Sequence, residues 1–166
     1  IDQFLHWHSN RRTDAYGGST ENMSRFLFEI IDAVSAELPE QRIGLRLSPQ
    51  AYINMVHDDR DKSVFSDVLT KLNNHNLAYV HTGMFSDDPV EHLNGTVTQF
   101  IRSHYRGTVI ASGGYDATSA RETLQQGDAD LIAIGRSFIA NPDYVSRVKN
   151  NQPLDAYDES QLATLY

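Results

Sequence analysis

Val109-Ile110-Ala111-Ser112-Gly113-Gly114-Tyr115-Asp116, and then Leu131-Ile132-Ala133-Ile134-Gly135-Arg136-Ser137, are the segments on which the fold turns. In each, a short apolar run of strand length breaks off at glycine and passes into a helical pattern. Between them lies a helix that follows Asp116 and ends at Gly127, a residue suited to the left-handed position beyond a helix. Strand, turn, helix and strand in that order make a parallel crossover unit, because an antiparallel return would need only a hairpin.

The same alternation extends toward the N-terminus. Two more apolar runs, Ile43–Leu47 and Leu77–His81, precede the first pair. Met23, Phe26, Leu27, Ile30, Ile31, Val34 and Leu38 recur at helical spacing, with Ser19 placed to cap, Glu21 in the first turn and Pro39 to stop the helix. A second helix carries Val64, Phe65, Val68, Leu69 and Leu72; a third carries Val97, Phe100, Ile101 and Tyr105. Asn141-Pro142 predicts the start of a fifth, with proline at its first helical position. The fold class is therefore α/β, built of parallel βα units. Four such strands make either a small open sheet or half of a closed barrel, and composition does not choose between them.

Composition sets outer bounds. The chain has 166 residues, 40% of them hydrophobic, and a formal net charge of -8. That balance opposes a nucleic-acid partner held by phosphate neutralisation. The one dense basic pair, Arg11-Arg12, sits among polar loop residues and reads as a local anchor. No cysteine is present, which excludes disulfides, thiolate zinc sites and thiol nucleophiles. No apolar run approaches the ~20 residues of a membrane span, and no charged-then-apolar leader opens the chain. A soluble, cytoplasmic protein with no membrane partner is expected.

Parallel α/β folds carry their sites at the carboxyl ends of the strands. Alternation along Gly44-Leu45-Arg46-Leu47-Ser48-Pro49 sends Ile43, Leu45 and Leu47 toward the helices, and Gly44, Arg46 and Ser48 to the opposite face. A buried-side arginine needs either an anion or an internal carboxylate to meet it. Ser112, Gly113 and Gly114 let the backbone approach a ligand with amides aimed at an oxyanion. Gly135 and Arg136 stand at the corresponding place on the next strand. Together these positions match the phosphate site that barrels build after their seventh and eighth strands. No G-x-G-x-x-G occurs, so a dinucleotide fingerprint is absent. His6 and His8 read as exposed loop histidines, and His57-Asp58-Asp59 as a solvated turn; no metal site is expected. His81 either contacts a ligand or packs. Nothing resembles a Ser-His-Asp arrangement or a carboxylate pair.

Longer motifs are more specific. Asp2-Gln3-Phe4-Leu5, the run Asn10-Arg11-Arg12-Thr13-Asp14-Ala15-Tyr16-Gly17-Gly18-Ser19-Thr20-Glu21-Asn22, and Arg25-Phe26 closely resemble the old yellow enzyme pattern Q-F-L, N-x-R-T-D-x-Y-G-G-S-x-E-N, R-F. The resemblance continues through Arg42–Pro49 and Ala133–Asp143, covering nearly the whole chain in order. It implies that residues 1–166 are the C-terminal half of an FMN-binding TIM (βα)8 barrel: strands five to eight, with the loop and helix after strand four. The family activity it implies is hydride transfer from NADPH or NADH, through FMN, to an activated alkene, a small-molecule substrate. Carried over, Arg46 meets the flavin ring and stabilises negative charge there. Ser112, Gly113 and Gly114 cradle the flavin phosphate, Gly135 and Arg136 complete that cradle, and the Asn10–Asn22 segment is scaffold.

The chain departs from the family at His6-Trp7, where Ser-Pro is usual, and at Thr82-Gly83, where an acidic residue is common. The family's substrate-anchoring pair and proton-donating tyrosine lie upstream of Q-F-L, so no catalytic residue is expected within this chain and the fragment alone is expected to be inactive. Its implied partner is the missing N-terminal half or a second copy. The competing expectations are a non-catalytic half-barrel that binds flavin or phosphate and self-associates, and another FMN barrel of the dihydroorotate dehydrogenase type, which lacks the R-T-D-x-Y-G-G stretch.

Overall fold

A computed structural model describes residues 1–50 and 53–164. Four parallel strands form one sheet in the order β1 (Gly44–Leu47), β2 (Tyr79–Thr82), β3 (Val109–Ala111) and β4 (Leu131–Ile132). Sequential order with parallel pairing requires a crossover between each pair, and helices supply it. The helices are α1 (Asp2–Leu5), α2 (Thr20–Ser35), α3 (Asp61–Leu72), α4 (Val97–His104), α5 (Ala117–Gln126), α6 (Arg136–Ala140) and α7 (Tyr144–Lys149). Among the described residues no helix is long and apolar enough to cross a membrane.

Their ends follow from local chemistry. The Ser19 hydroxyl accepts from the Asn22 amide at the start of α2. Thr96 and Gln99 form a reciprocal capping box on α4, as do Asp116 and Ser119 on α5. Gly127 closes α5 in the left-handed conformation. Around Asn141 the structure differs from expectation. Pro142 does not open a helix: Asn141 instead ends α6, and α7 starts two residues later from Asp143. The fully buried Asn141 side chain makes this break by donating to the carbonyls of Ser137 and Asp155 and accepting from the Asp155 amide.

The strands sort their side chains as the alternation predicts. Leu45, Leu47, Val80, Val109 and Ala111 are buried on the face toward the helices, where they meet Leu27, Phe65, Leu69 and Ile101. Gly44 and Arg46 lie on the other, open face. Register pairs Gly44 with Tyr79 and Arg46 with His81, so the tyrosine ring occupies the space above the glycine and the imidazole stands beside the guanidinium-bearing residue. A sheet with one covered face, one open face and unpaired outer edges on β1 and β4 is the geometry of a partial barrel.

The Asn10–Asn22 segment is knitted to itself. Asn10 donates to the carbonyls of Phe4 and Tyr16. Asn22 donates to Asp14 and Gly17, and Arg25 donates to Ala15. Arg12 pairs with Asp14, which also accepts from the Tyr16 amide. Most of the motif's hydrogen bonds thus run within the segment or to residues close to it, and the Tyr16 hydroxyl reaches Glu29 on α2.

Candidate functional site

The carboxyl ends of β1, β3 and β4, with the loop after β2, enclose a cavity of about 360 Å³. That lies within the ~300–1,000 Å³ typical of small-molecule sites. Arg46, Ser112, Gly113, Gly114, Gly135 and Arg136 all line it. The structure thus brings together the six residues singled out from sequence, drawn from three strands. Its wall contains two arginines and no carboxylate, although the chain as a whole carries a net charge of -8. Such local concentration of one sign focuses the field on an anion.

At the turn after β3 the backbone does the work. Gly113 has φ +132 and Gly114 φ +79. A Cβ on Gly113 would stand 2.6 Å from the Asp87 amide nitrogen, so the neighbouring loop excludes any side chain. The Gly113 carbonyl accepts from that amide at 3.0 Å, which turns it away from the cavity. The Gly113 and Gly114 amides meet no acceptor among the described residues. Ser112 behaves differently. Its amide donates to the Thr82 hydroxyl at 2.6 Å, and its own hydroxyl donates to the Thr82 carbonyl at 2.5 Å. Ser112 is therefore committed to the sheet, and the two glycines carry the free donors.

Gly135 precedes α6, and a Cβ there would meet nothing within 4 Å, leaving the mouth of the cavity wide. The Arg136 guanidinium lies 5.6 Å from the centre of the Phe85 ring, within cation–π range. On the inner wall, Arg46 has no carboxylate partner among the described residues, so the internal salt bridge entertained for it is absent. Its stem passes over Gly83, where a Cβ would come 3.1 Å from the Arg46 Nε and 2.5 Å from the Ser48 hydroxyl. Burial, and then the Arg46 charge, push the neighbouring His81 below the ordinary imidazole range. His81 Nε2 is buried without a hydrogen-bond partner among the described residues.

Six further lining residues were not singled out as site residues from the sequence: Met84, Phe85, Tyr115, Ala133, Ile134 and Ser137. Loop residues after a strand carry no periodicity to flag them; only the placement of Tyr115 directly after the Gly-Gly pair was a usable signal. The histidines also need correcting. His6 is fully buried, not exposed: its Nδ1 meets Asp61 Oδ2 at 2.9 Å, and its Nε2 lies 3.5 Å from Asp2. The partner is 55 residues away, beyond any local pattern. His57 bonds Asp59 at 2.8 Å in an exposed turn and packs on His92 with ring centres 3.7 Å apart. Among the described residues no group of three His, Asp or Glu side chains is placed to hold a metal ion.

Comparison with known proteins agrees in family and architecture. The family model described as NADH:flavin oxidoreductase / NADH oxidase matches residues 1–155. A putative 12-oxophytodienoate reductase 3 of Oryza sativa subsp. japonica is 42% identical over 168 residues, covering 99% of this chain and 44% of the rice protein. The 12-oxophytodienoate reductase 2 of Arabidopsis thaliana is 34% identical over 167 residues, with 99% and 44% covered. The solved structure of morphinone reductase in complex with tetrahydroNAD superposes with a TM-score of 0.84 at 36% identity, over 96% of this chain and 42% of that one. The chain thus spans less than half the length of each of these three relatives.

Proposed function

The chain belongs to the NADH:flavin oxidoreductase / NADH oxidase family, and from that premise we propose that it is the flavin-phosphate half of an FMN-dependent ene-reductase. One observation carries the proposal: Gly113 and Gly114, whose amides have no acceptor among the described residues, and Arg136 line one cavity that has no carboxylate in its wall. That donor set fits a phosphate monoester, which needs several acceptor oxygens met and a negative charge balanced.

FMN, when bound, supplies hydride exchange between NADPH or NADH and an activated C=C bond of a small molecule. This chain's residues bind and orient. Gly113 and Gly114 donate to the phosphate, Arg136 neutralises it, and the absence of a side chain at Gly135 keeps the entrance clear. Ser112 is a positioning residue that pins the turn to β2 through Thr82. Arg46, with no carboxylate partner among the described residues and on the open face, presents a positive charge to the flavin ring. Proton donation and substrate anchoring fall to the N-terminal half of the barrel, which also covers the open face. A second reading, a flavin-binding half-barrel that pairs with another copy, draws on the unpaired edges of β1 and β4.

Flavin titration of the intact protein tests the phosphate role. Arg136→Ala is expected to weaken FMN by about tenfold or more, the loss of one charge-assisted contact, and to leave riboflavin, which lacks the phosphate, unchanged. Equal FMN affinity in variant and wild type would remove Arg136 from the site. Catalytic alkene reduction by the intact protein separates the first reading from the second.

A further inference from the structure

Asp87 lies outside the cavity wall, in the loop that follows β2, yet it touches the glycine turn at two points and α4 at a third. Its backbone amide donates to the Gly113 carbonyl at 3.0 Å. Its carboxylate accepts from the Thr98 amide in the first turn of α4 at 3.1 Å, and from the Tyr115 hydroxyl at 2.5 Å. One residue thereby ties together the loop after β2, the start of α4 and both ends of the Gly113-Gly114 turn.

The geometry gives these contacts a direction. A peptide unit has its carbonyl and amide on opposite sides, so holding the Gly113 carbonyl toward Asp87 turns the Gly114 amide toward the cavity. With both glycines at positive φ, the turn has several other conformations within reach, and nothing in the glycines themselves selects this one. Selection comes from the loop: the carboxylate fixes where residue 87 sits, and residue 87 fixes the carbonyl. Tyr115 reinforces the arrangement from the other end, its hydroxyl half-buried between Asp87 and Thr98. Burial, together with the adjacent Asp87 charge, pushes that phenol up to about 12, so it stays protonated and donating.

We propose that Asp87 is the positioning residue of the phosphate cradle, preorganising the Gly113-Gly114 amides so that the site prefers a phosphorylated flavin over the unphosphorylated one. The proposal rests on the cradle reading above. It assigns Asp87 no contact with the ligand; the carboxylate works through the Gly113 carbonyl and through Tyr115.

The test is a comparison of FMN and riboflavin binding to the intact apoprotein, followed by flavin fluorescence, in Asp87→Ala, Asp87→Asn and Tyr115→Phe. Asn keeps an acceptor for Thr98 and a partner for Tyr115, whereas Ala keeps neither. Asp87→Ala is expected to lose about tenfold in FMN affinity, the effect of one misaimed charge-assisted donor, with riboflavin unmoved. Asp87→Asn is expected to restore most of the FMN preference, and Tyr115→Phe to fall between. Three results overturn the proposal: equal weakening of both flavins by Asp87→Ala, unchanged FMN binding, or tighter FMN binding from simple removal of a negative charge. If wild type itself shows no preference for FMN over riboflavin, the cradle reading fails first and Asp87 has nothing to position.

Discussion

Raising the pH should unfasten α1 from α3 at one identifiable point. His6 is fully buried against Asp61, with Asp2 at 3.5 Å on the other ring nitrogen. Burial alone would lower the imidazole, but hydrogen bonding and charge from Asp2 and Asp61 outweigh it and raise His6 from 6.5 to about 9. A group raised on folding binds its proton more tightly in the native state. Its contribution is therefore complete below about pH 6.5 and is lost as pH climbs through about 9. At about 1.4 kcal/mol per pH unit, and allowing for solvent screening of the partly exposed Asp2, the amount at stake is roughly 2–3 kcal/mol. Urea unfolding at about pH 6 and about pH 10 for wild type and His6→Gln measures it. Glutamine cannot titrate, so any constant cost of the substitution cancels in the comparison. Wild type should exceed the variant by about 2–3 kcal/mol more at the lower pH than at the higher. An identical difference at both values would refute a protonated His6 in the native state.

Three further outcomes are expected. In the holoprotein, Arg46→Ala should lower the flavin reduction potential by about 30 mV or more, a tenfold shift in a two-electron equilibrium; Gly83→Ala, whose Cβ would crowd Arg46 Nε at 3.1 Å, should move it in the same direction by less, and redox titration reads both. Gly113→Ala places a side chain at φ +132 and 2.6 Å from the Asp87 nitrogen, so it should cost about 1–3 kcal/mol in strain and abolish tight FMN binding, read by thermal unfolding and fluorescence. Asp116→Ala removes the cap that accepts from the Thr118 and Ser119 amides and should destabilise by about 1 kcal/mol with little change in flavin affinity, by urea unfolding.

What the sequence disclosed divides along physical lines. Caps, stops and strand alternation depend on residues within a turn or two, and they read correctly at Ser19, at Gly127 and along Gly44–Leu47. The local bonding of Asn10–Asn22 was legible because most of its partners are near neighbours in sequence. His6 was misjudged because its partner Asp61 arrives only when α1 packs on α3. Asn141-Pro142 misled because Asn141 spends its amide on Asp155, fourteen positions on, instead of capping the next helix. Ser112 was legible as a cavity residue but not as one already bonded to Thr82, a contact set by strand register. That these residues share one cavity was legible from glycine and arginine placement; which of its amides lack an acceptor among the described residues required the structure.

The composition of the cavity wall bears on the order in which the molecule assembles. Val109 to Ile132 form one strand–helix–strand unit whose two carboxyl-terminal turns supply most of that wall, while Arg46 comes from far upstream. Closing so short a segment costs little chain entropy, and contacts between near neighbours form ahead of distant ones. That end of the cavity is thus the easiest part of the domain to nucleate, with the inner wall at Arg46 completed later. An anion held there while the rest consolidates would act as a folding template, drawing the newly made chain toward its flavin-loaded form.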